Sequence, residues 1–337
     1  MKDSQPMDPL THTATGILLS RAGLKRWTPL ALPILILAAN APDIDIVTAA
    51  GGSLNYLHYH RHLTHSLIAA PVLAIGIAGL VRLLARKPVR WAGAFWAALV
   101  AVVSHLLLDW TNAYGIRLLL PFSDSWLRLD LTPVVDVWIW SALFVAFAGP
   151  FLGRLVIGEI TSGKPKPDRH GRGFAWAGLL FLLLYNGGRA ALHERALKVL
   201  ETRLYEGAVP ERVAAMPSQN PLAWRGLVEA AEFYAVEPVD LLGSFDLSQG
   251  EIFYKPAADP AMETARRTAT FQTFLQFSQF PLWRVTAESK PPNSKLVQVF
   301  DMRFGTPAEP GFHVDALVDA PGHAVEREFQ FGPPRSR

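Results

Sequence analysis

The chain has 337 residues, of which half are hydrophobic and only 18% charged; its 32 Lys and Arg against 29 Asp and Glu give a net charge of +3. With no cysteine, disulfides and thiolate metal sites are excluded. The positive mean hydropathy (+0.19) is too apolar for an ordinary soluble enzyme, and the modest charge argues against a nucleic-acid binder.

Met1–Leu10 is polar, contains proline and shows no cleavable signal pattern, so the first membrane helix is expected to direct insertion. Leu10–Gly23 and Thr28–Ala41 are apolar but short, roughly 21 Å each as helices at 1.5 Å per residue. They predict a helical hairpin that enters part of the bilayer. Ser66–Leu84, Trp91–Trp110, Val134–Ile157 and Phe174–Leu192 are each long enough to cross a core of about 30 Å. Arg82, Arg86, Lys87 and Arg90 crowd one connecting loop; Arg154, Lys164, Lys166, Arg169 and Arg172 crowd another. The bias of Lys and Arg toward the cytoplasm predicts both loops inside. Ser66, Trp110, Val134 and Leu192 then lie at the outer face.

Beyond Leu192 the composition changes. Ala191–Tyr205 has apolar residues at helical spacing and predicts an amphipathic helix. Trp224–Ala235, Glu251–Lys255, Leu296–Phe304, Phe312–Val318 and Val325–Phe331 predict strands between Gly and Pro turns. Thr268–Phe280 predicts a helix with a Phe271, Phe274 and Leu275 face. The expected architecture is an α-helical integral membrane domain over 1–192, with about four full spans plus the short N-terminal hairpin. A small soluble α+β domain over 193–337 follows, outside the cytoplasm.

The residues with chemical potential sit at the ends of the apolar stretches. An intramembrane acid costs roughly 2.5–3.5 kcal/mol on insertion scales, so such residues are functional candidates. His105 and Asp109, four apart on one helix face, could hold one metal or form a helix-end hydrogen bond. Asp43 and Asp45 follow Pro42, which places them in a turn or new helix start. They could bridge metals, divide into ligand and base, or cap a helix. In His60-Arg61-His62-Leu63-Thr64-His65-Ser66 several histidines open a membrane helix, and a buried imidazole needs a partner. Arg61 offers a planar fork for phosphate or carboxylate, and Thr64 or Ser66 a cap. His58 and His62 read as interfacial. His12 lies in a polar N-terminal turn. Asp124 and Asp136 are secondary candidates, and His170, His193, His313 and His323 read as surface residues. His with Asp is a common ligand set for divalent metals.

These motifs resemble the YdjM-like inner-membrane proteins, a family of predicted membrane-bound metal-dependent hydrolases. The resemblance rests on His12, on Pro42-Asp43-Ile44-Asp45, on His60-Arg61 with Thr64-His65-Ser66, and on Ser104-His105 with Asp109. It extends through Thr111, Gly115 and Leu118-Leu119-Leu120-Pro121, covering roughly residues 7–140. The ligand order is distantly similar to the zinc-dependent phospholipase C and S1/P1 nuclease arrangement. The later His and Glu ligands of those enzymes have no obvious counterpart, and Asp124 or Asp136 would have to substitute.

The resemblance implies a metal site of His12, Asp43, His65, His105 and Asp109, with Asp45 a bridging ligand or general base. One to three divalent ions are expected, most plausibly Zn²⁺. Arg61 would steady an anionic group, and His60 would orient a ligand or shuttle a proton. The expected activity is hydrolysis of a phosphoester or lipid-type ester at the outer interface, on a membrane lipid or membrane-bound substrate, with no nucleic-acid partner. A metal-stabilised scaffold with a partner-binding soluble domain is the alternative. An ion-coupled transporter fits less well, because the acids sit at one face and no inverted repeat is visible.

Overall fold

The computed structural model describes residues 9–160, 169–243, 245–326 and 330–331, with side chains described for 9–153, 171–243 and 245–325. Lys164 and Lys166 of the second basic loop lie outside the described residues, as do the side chains of Arg154, Arg169 and His170. The chain divides into two compact units, residues 7–45 with 61–191, and residues 1–6, 46–60 and 192–337.

The first unit is helical. Its elements are α1 (Pro9–Ala22), α2 (Ala31–Asn40), α4 (Ala69–Ala85), α5 (Trp91–Thr111), α6 (Val137–Ile160) and most of α7 (Arg169–Glu201); α3 (Ser53–Tyr59) falls in the second unit. α2, α4 and α5 meet through small residues: Ala31, Ala38 and Ala39 against Ala70, Ala74, Ala97, Ala98 and Ala101, all at most 2% exposed. Lipid tails are as apolar as leucine, so helices in a bilayer associate by close packing of small side chains. α1 and α2 approach closely at Gly16, where a Cβ would come 2.8 Å from the Leu35 carbonyl oxygen. α1, α6 and α7 share a second core of Leu18, Ile139, Leu143, Ala146, Ala175 and Leu182. The large apolar residues face outward, Phe144 at 71% and Leu183 at 70% exposed. Apolar side chains exposed on this scale mark a surface that meets lipid or another protein.

Among the described residues, one helix, α5, is long and apolar enough to cross a membrane. The number rises to three if each of two bent pairs counts: α2 with the 3₁₀ segment Pro42–Gly51 (47°), and Ser53–His65 with α4 (84°). The four uninterrupted spans expected from hydropathy are therefore reduced. The Ser66–Leu84 stretch becomes the 17-residue α4 entered through a sharp bend, while the Val134–Ile157 stretch lies largely in the 24-residue α6, whose apolar part includes Val137–Gly153. Phe174–Leu192 lies inside α7, where Asn186, Gly187, Gly188 and Arg189 lower the hydropathy. The short N-terminal pair is present as α1 and α2, joined by a 3₁₀ turn at Leu24–Arg26.

The second unit carries two antiparallel sheets. β1 (Arg212–Pro217), β2 (Ala223–Glu229), β3 (Phe233–Asp240) and β4 (Glu251–Tyr254) pair in sequence order. β5 (Pro281–Glu288), β6 (Ser294–Asp301), β7 (Phe312–Val318) and β8 (Ala324–Glu326) do the same, and β9 (Gln330–Phe331) pairs with β7. α8 (Pro260–Arg266) and α9 (Ala269–Phe277) complete the unit. Ala196 and Leu200, near the end of α7, pack against Trp224, Val228, Phe233, Ala235 and Val239 of the first sheet. The amphipathic stretch after Ala191 is thus the continuation of α7, and it stops at Glu201, before Leu204.

The expected strand Trp224–Ala235 is instead the β2–β3 hairpin, whose turn is closed by Ala230 N–H donating to Phe233 O at 2.9 Å. The expected helix Thr268–Phe280 is α9, capped by Thr268 Oγ1, and its inner face is Phe271, Phe274 and Phe277 in place of Leu275. His313, expected at the surface, is 1% exposed: it points inward from β7 and stacks on Phe300 at 5.8 Å. His193 is also no plain surface residue, with its ring 5.2 Å from that of Trp224.

Candidate metal centre

Four side chains from three separate parts of the helical unit converge. One ligand atom from each of Asp43, His65, His105 and Asp109 lies within 4.8 Å of every other, and three of the four residues are fully buried. Each is delivered by a local feature. α2 ends at Asn40, whose side chain donates to Ile36 O and Thr13 Oγ1, and Pro42 opens a 3₁₀ segment. At three residues per turn, Asp43 and Asp45 leave this segment in different directions. They take opposite edges of one imidazole. Asp43 Oδ1 is 3.4 Å from His65 Nε2, and Asp45 Oδ2 is 3.3 Å from His65 Nδ1.

His65 sits in the 3₁₀ turn Leu63–His65 before α4. Ser66 Oγ donates to Leu63 O and accepts from Ala69 N–H, which ties that turn to the helix start. Thr64 Oγ1 donates to Asp45 Oδ2, so it braces the acid and does not cap the helix. Asp45 Oδ2 also accepts from the backbone N–H of Arg61, whose φ is 55°. A non-glycine residue in the left-handed region is sterically costly, and such positions cluster at functional sites.

On α5, the four-residue spacing puts His105 and Asp109 on one face, with His105 Nε2 3.3 Å from Asp109 Oδ2. His105 Nδ1 is 2.8 Å from Ala39 O. A carbonyl only accepts, so the proton is on Nδ1 and the Nε2 lone pair of the neutral ring points into the cluster. His105 Nε2 and His65 Nε2 face each other at 3.2 Å.

The donor chemistry fits a cation. Two imidazole nitrogens and two carboxylates form a hard-to-borderline ligand set. Asp43 Oδ1, Asp43 Oδ2 and Asp109 Oδ2 are buried and accept no hydrogen bond, although imidazole nitrogens stand 3.2–3.4 Å away. Buried carboxylate oxygens are expensive to leave unsatisfied, and a divalent ion satisfies several together.

His12 stacks on His105 with ring centroids 3.8 Å apart, and its Nε2 is 3.5 Å from Asp109 Oδ1. Arg61 holds that same oxygen, Nη2 to Oδ1 at 3.0 Å, while Nη1 donates to Asn112 Oδ1 and Gly115 O. His60 is 2% exposed and stacks on Tyr56 at 4.4 Å. Asp124 is exposed and contributes to the field on Arg117. Asp136 caps α6: Oδ1 accepts from the N–H groups of Trp138 and Ile139, and Oδ2 accepts from Tyr185 OH. Asn112 and the carbonyls of Ala39 and Gly115 escaped sequence reasoning. Only Asn112 left a trace there, three positions after Asp109.

A cavity of about 30 Å³ lies beside the cluster, lined among others by His12, Arg61, Asp109, Asn112, Thr132 and Asp136. Two of its walls carry buried polar atoms without a partner, His12 Nδ1 and Arg61 Nε.

The profile of the YdjM inner membrane protein family matches residues 7–196, more than half of the chain, and the chain belongs to that family. The family is classed among membrane-bound metal-dependent hydrolases. The chain is also 27% identical over 295 residues to the uncharacterized protein YfhP of Bacillus subtilis (strain 168), an alignment covering 83% of this chain and 82% of that one. No solved structure matches.

Proposed function

From membership of the YdjM family, we propose that this protein is a membrane-embedded hydrolase whose metal ion is held by Asp43, His65, His105 and Asp109. It would cleave a phosphoester or lipid-type ester at the outer membrane interface. The observation that carries this reading is the buried meeting of two imidazoles with carboxylate oxygens that accept no hydrogen bond. Zn²⁺ suits the ligand set best. When bound, such an ion lowers the pKa of a water toward about 7 and polarises the ester oxygen.

The chain's own residues do the rest. Ala39 O fixes the tautomer and orientation of His105. Asp45 stands on the remote nitrogen of His65, where its role is orientation of that ring, as outer carboxylates do for metal-bound histidines. Arg61 neutralises Asp109 and keeps it pointed at the cluster. The alanine-packed helices close one side to water, which strengthens every charge interaction within. In the reaction, the oxygen of a water joins the acyl or phosphoryl centre and its proton leaves with the alcohol.

The reading includes an orientation. The basic loops at Arg82–Arg90 and 154–172 would be cytoplasmic and the C-terminal domain outside, with the N-terminal hairpin and four helices embedded. A donor set with no adjacent space would suit a purely structural metal; the cavity beside His12 and Asp109 favours catalysis. The test is elemental analysis of purified protein coupled to a screen of phospholipids and simple phosphoesters. Bound zinc with metal-dependent hydrolysis supports the proposal. A full complement of metal with no turnover of any ester would favour the scaffold.

A further inference from the structure

We propose that a cleft in the C-terminal unit, beside the first sheet, binds a linear alkyl polyamine and that the carboxylate of Glu237 takes one of its ammonium groups. The cleft lies within residues 192–337 and uses no residue of the metal cluster, so this site and the hydrolase reading stand or fall separately.

The cleft has a volume of about 570 Å³, inside the roughly 300–1,000 Å³ range of small-molecule sites. Residues of β2, β3 and β4 line it on one side, and the turn at 306–309 lines it on the other. Arg225 fastens the two sides together. Its Nη1 donates to Met302 O at 2.8 Å and to Arg303 O at 3.3 Å, and its Nη2 to Gly305 O at 3.0 Å. The guanidinium is thus committed to main-chain oxygens, and the charges that bear on it are those of Asp301 and Glu251.

Glu237 is what calls for a ligand. It is 2% exposed and lines the cleft, and its Oε2 accepts no hydrogen bond. Burying a carboxylate oxygen without a donor is costly. The chain nevertheless keeps room for this group. Gly250 has a φ of −79°, which any residue adopts, yet a Cβ there would collide with the Glu237 carboxylate. Glycine at 250 therefore serves the acid and not the turn. The charge that bears on Glu237 is a second acid, Asp246. Glu251 and Glu309 also line the cleft, but both are exposed and so stand toward its opening. Val236 and Ala308 add apolar lining. One buried acid, two exposed ones and apolar wall between sheet and turn suit a chain in which ammonium groups alternate with methylenes. A metal ion suits the cleft less well: among the described residues, only Asp43, His65, His105 and Asp109 gather as three or more such ligands. An amine that also carries a phosphate, such as a lipid headgroup, would bring an anion up to Glu251 and Glu309.

The test is calorimetric titration of the full-length protein in detergent, at constant ionic strength, with spermidine, butylamine and phosphoethanolamine. Spermidine should bind saturably, one per chain, and at least tenfold more tightly than butylamine; phosphoethanolamine should not bind. Glu237→Gln keeps the shape and removes the charge, and should raise the Kd for spermidine at least tenfold. Affinity for butylamine, which stays protonated, should rise about tenfold from pH 6 to pH 8 as a carboxyl held near 7 ionises. The other ionisable groups around it are Arg225, Tyr205, Asp246, Glu251 and Glu309. Guanidinium, phenol and carboxylate groups ordinarily titrate outside that range. Glu309→Lys puts a cation at the opening, away from the core, and should weaken spermidine more than butylamine. Absence of spermidine binding, wild-type affinity in Glu237→Gln, or tighter binding of phosphoethanolamine than of spermidine overturns the site. Should Glu237→Gln fail to fold, unchanged spermidine affinity in Glu309→Lys with a flat pH profile overturns it instead. Loss of zinc or of ester hydrolysis bears on the metal centre alone.

Discussion

Asp43 and Asp45 address opposite nitrogens of His65, Asp43 Oδ1 at 3.4 Å from Nε2 and Asp45 Oδ2 at 3.3 Å from Nδ1. Two acids only two positions apart therefore have different duties. Asp43→Ala should abolish metal binding, because it deletes a direct donor. Asp45→Asn should leave the donor set intact but weaken metal affinity by roughly 10–100-fold, the usual cost of losing an outer partner of a ligating histidine. Competition of each variant with a chromophoric zinc chelator measures this. Equal loss in both would make Asp45 a ligand.

Arg61 and Asp109 form a buried pair at 3.0 Å, both side chains under 5% exposed. Removing one partner of a buried pair typically costs about 3–5 kcal/mol, since the other charge is left alone. Arg61→Ala should therefore lower the melting temperature most in chelator-treated protein. Added zinc should restore part of the loss, because the ion then neutralises Asp109. Thermal unfolding in detergent with and without EDTA checks it. Identical losses in both conditions would mean that the ion does not contact Asp109.

Topology is the third prediction. A reporter active only outside the cytoplasm, fused after Arg337, should be active, and a cytoplasmic reporter there should be silent. The opposite pair of results would place the C-terminal domain inside and overturn the orientation.

The fourth concerns pH. Glu237 is 2% exposed, and its Oε2 accepts no hydrogen bond. Burial, helped by the neighbouring Asp246, pushes its carboxyl up to about 7. The folded form thus binds the proton more tightly than the unfolded chain. Its contribution to stability is complete below the ordinary carboxylate range and is lost as pH rises through about 7. Amide exchange of β3 in the full-length protein should speed up from pH 6 to pH 8 beyond the intrinsic rate change. Glu237→Gln should remove that excess. An excess that persists in the variant would place the titrating group elsewhere.

Much of the site was legible because its chemistry is local in sequence: a four-residue helical spacing gives His105 and Asp109, and a proline-opened turn gives Asp43 and Asp45. What the chain could not announce is pairing over distance. Arg61 reads as a free anion-binding fork until its partner Asp109, 48 positions away, is seen to occupy it. The soluble part shows the same limit. In Trp224–Ala235 the turn at Ala230–Phe233 contains neither Gly nor Pro, so the sequence pattern alone merges two strands into one. β5 begins at Pro281, a residue that argues against a strand unless it stands first or at an edge, and it does both here.

His105 owes its tautomer to a main-chain oxygen, that of Ala39. Every amino acid carries that oxygen, so no substitution at position 39 can delete the contact in the way that Asp45→Asn weakens the one on His65. Mutational vulnerability is transferred from chemistry to size. Ala39 is wholly buried, and a Cβ at Gly16 would already crowd its methyl group at 3.2 Å. One imidazole of the pair is thus insured against loss of its partner and exposed to steric intrusion, while the other has the opposite weakness. The two halves of the donor set should tolerate different kinds of sequence drift.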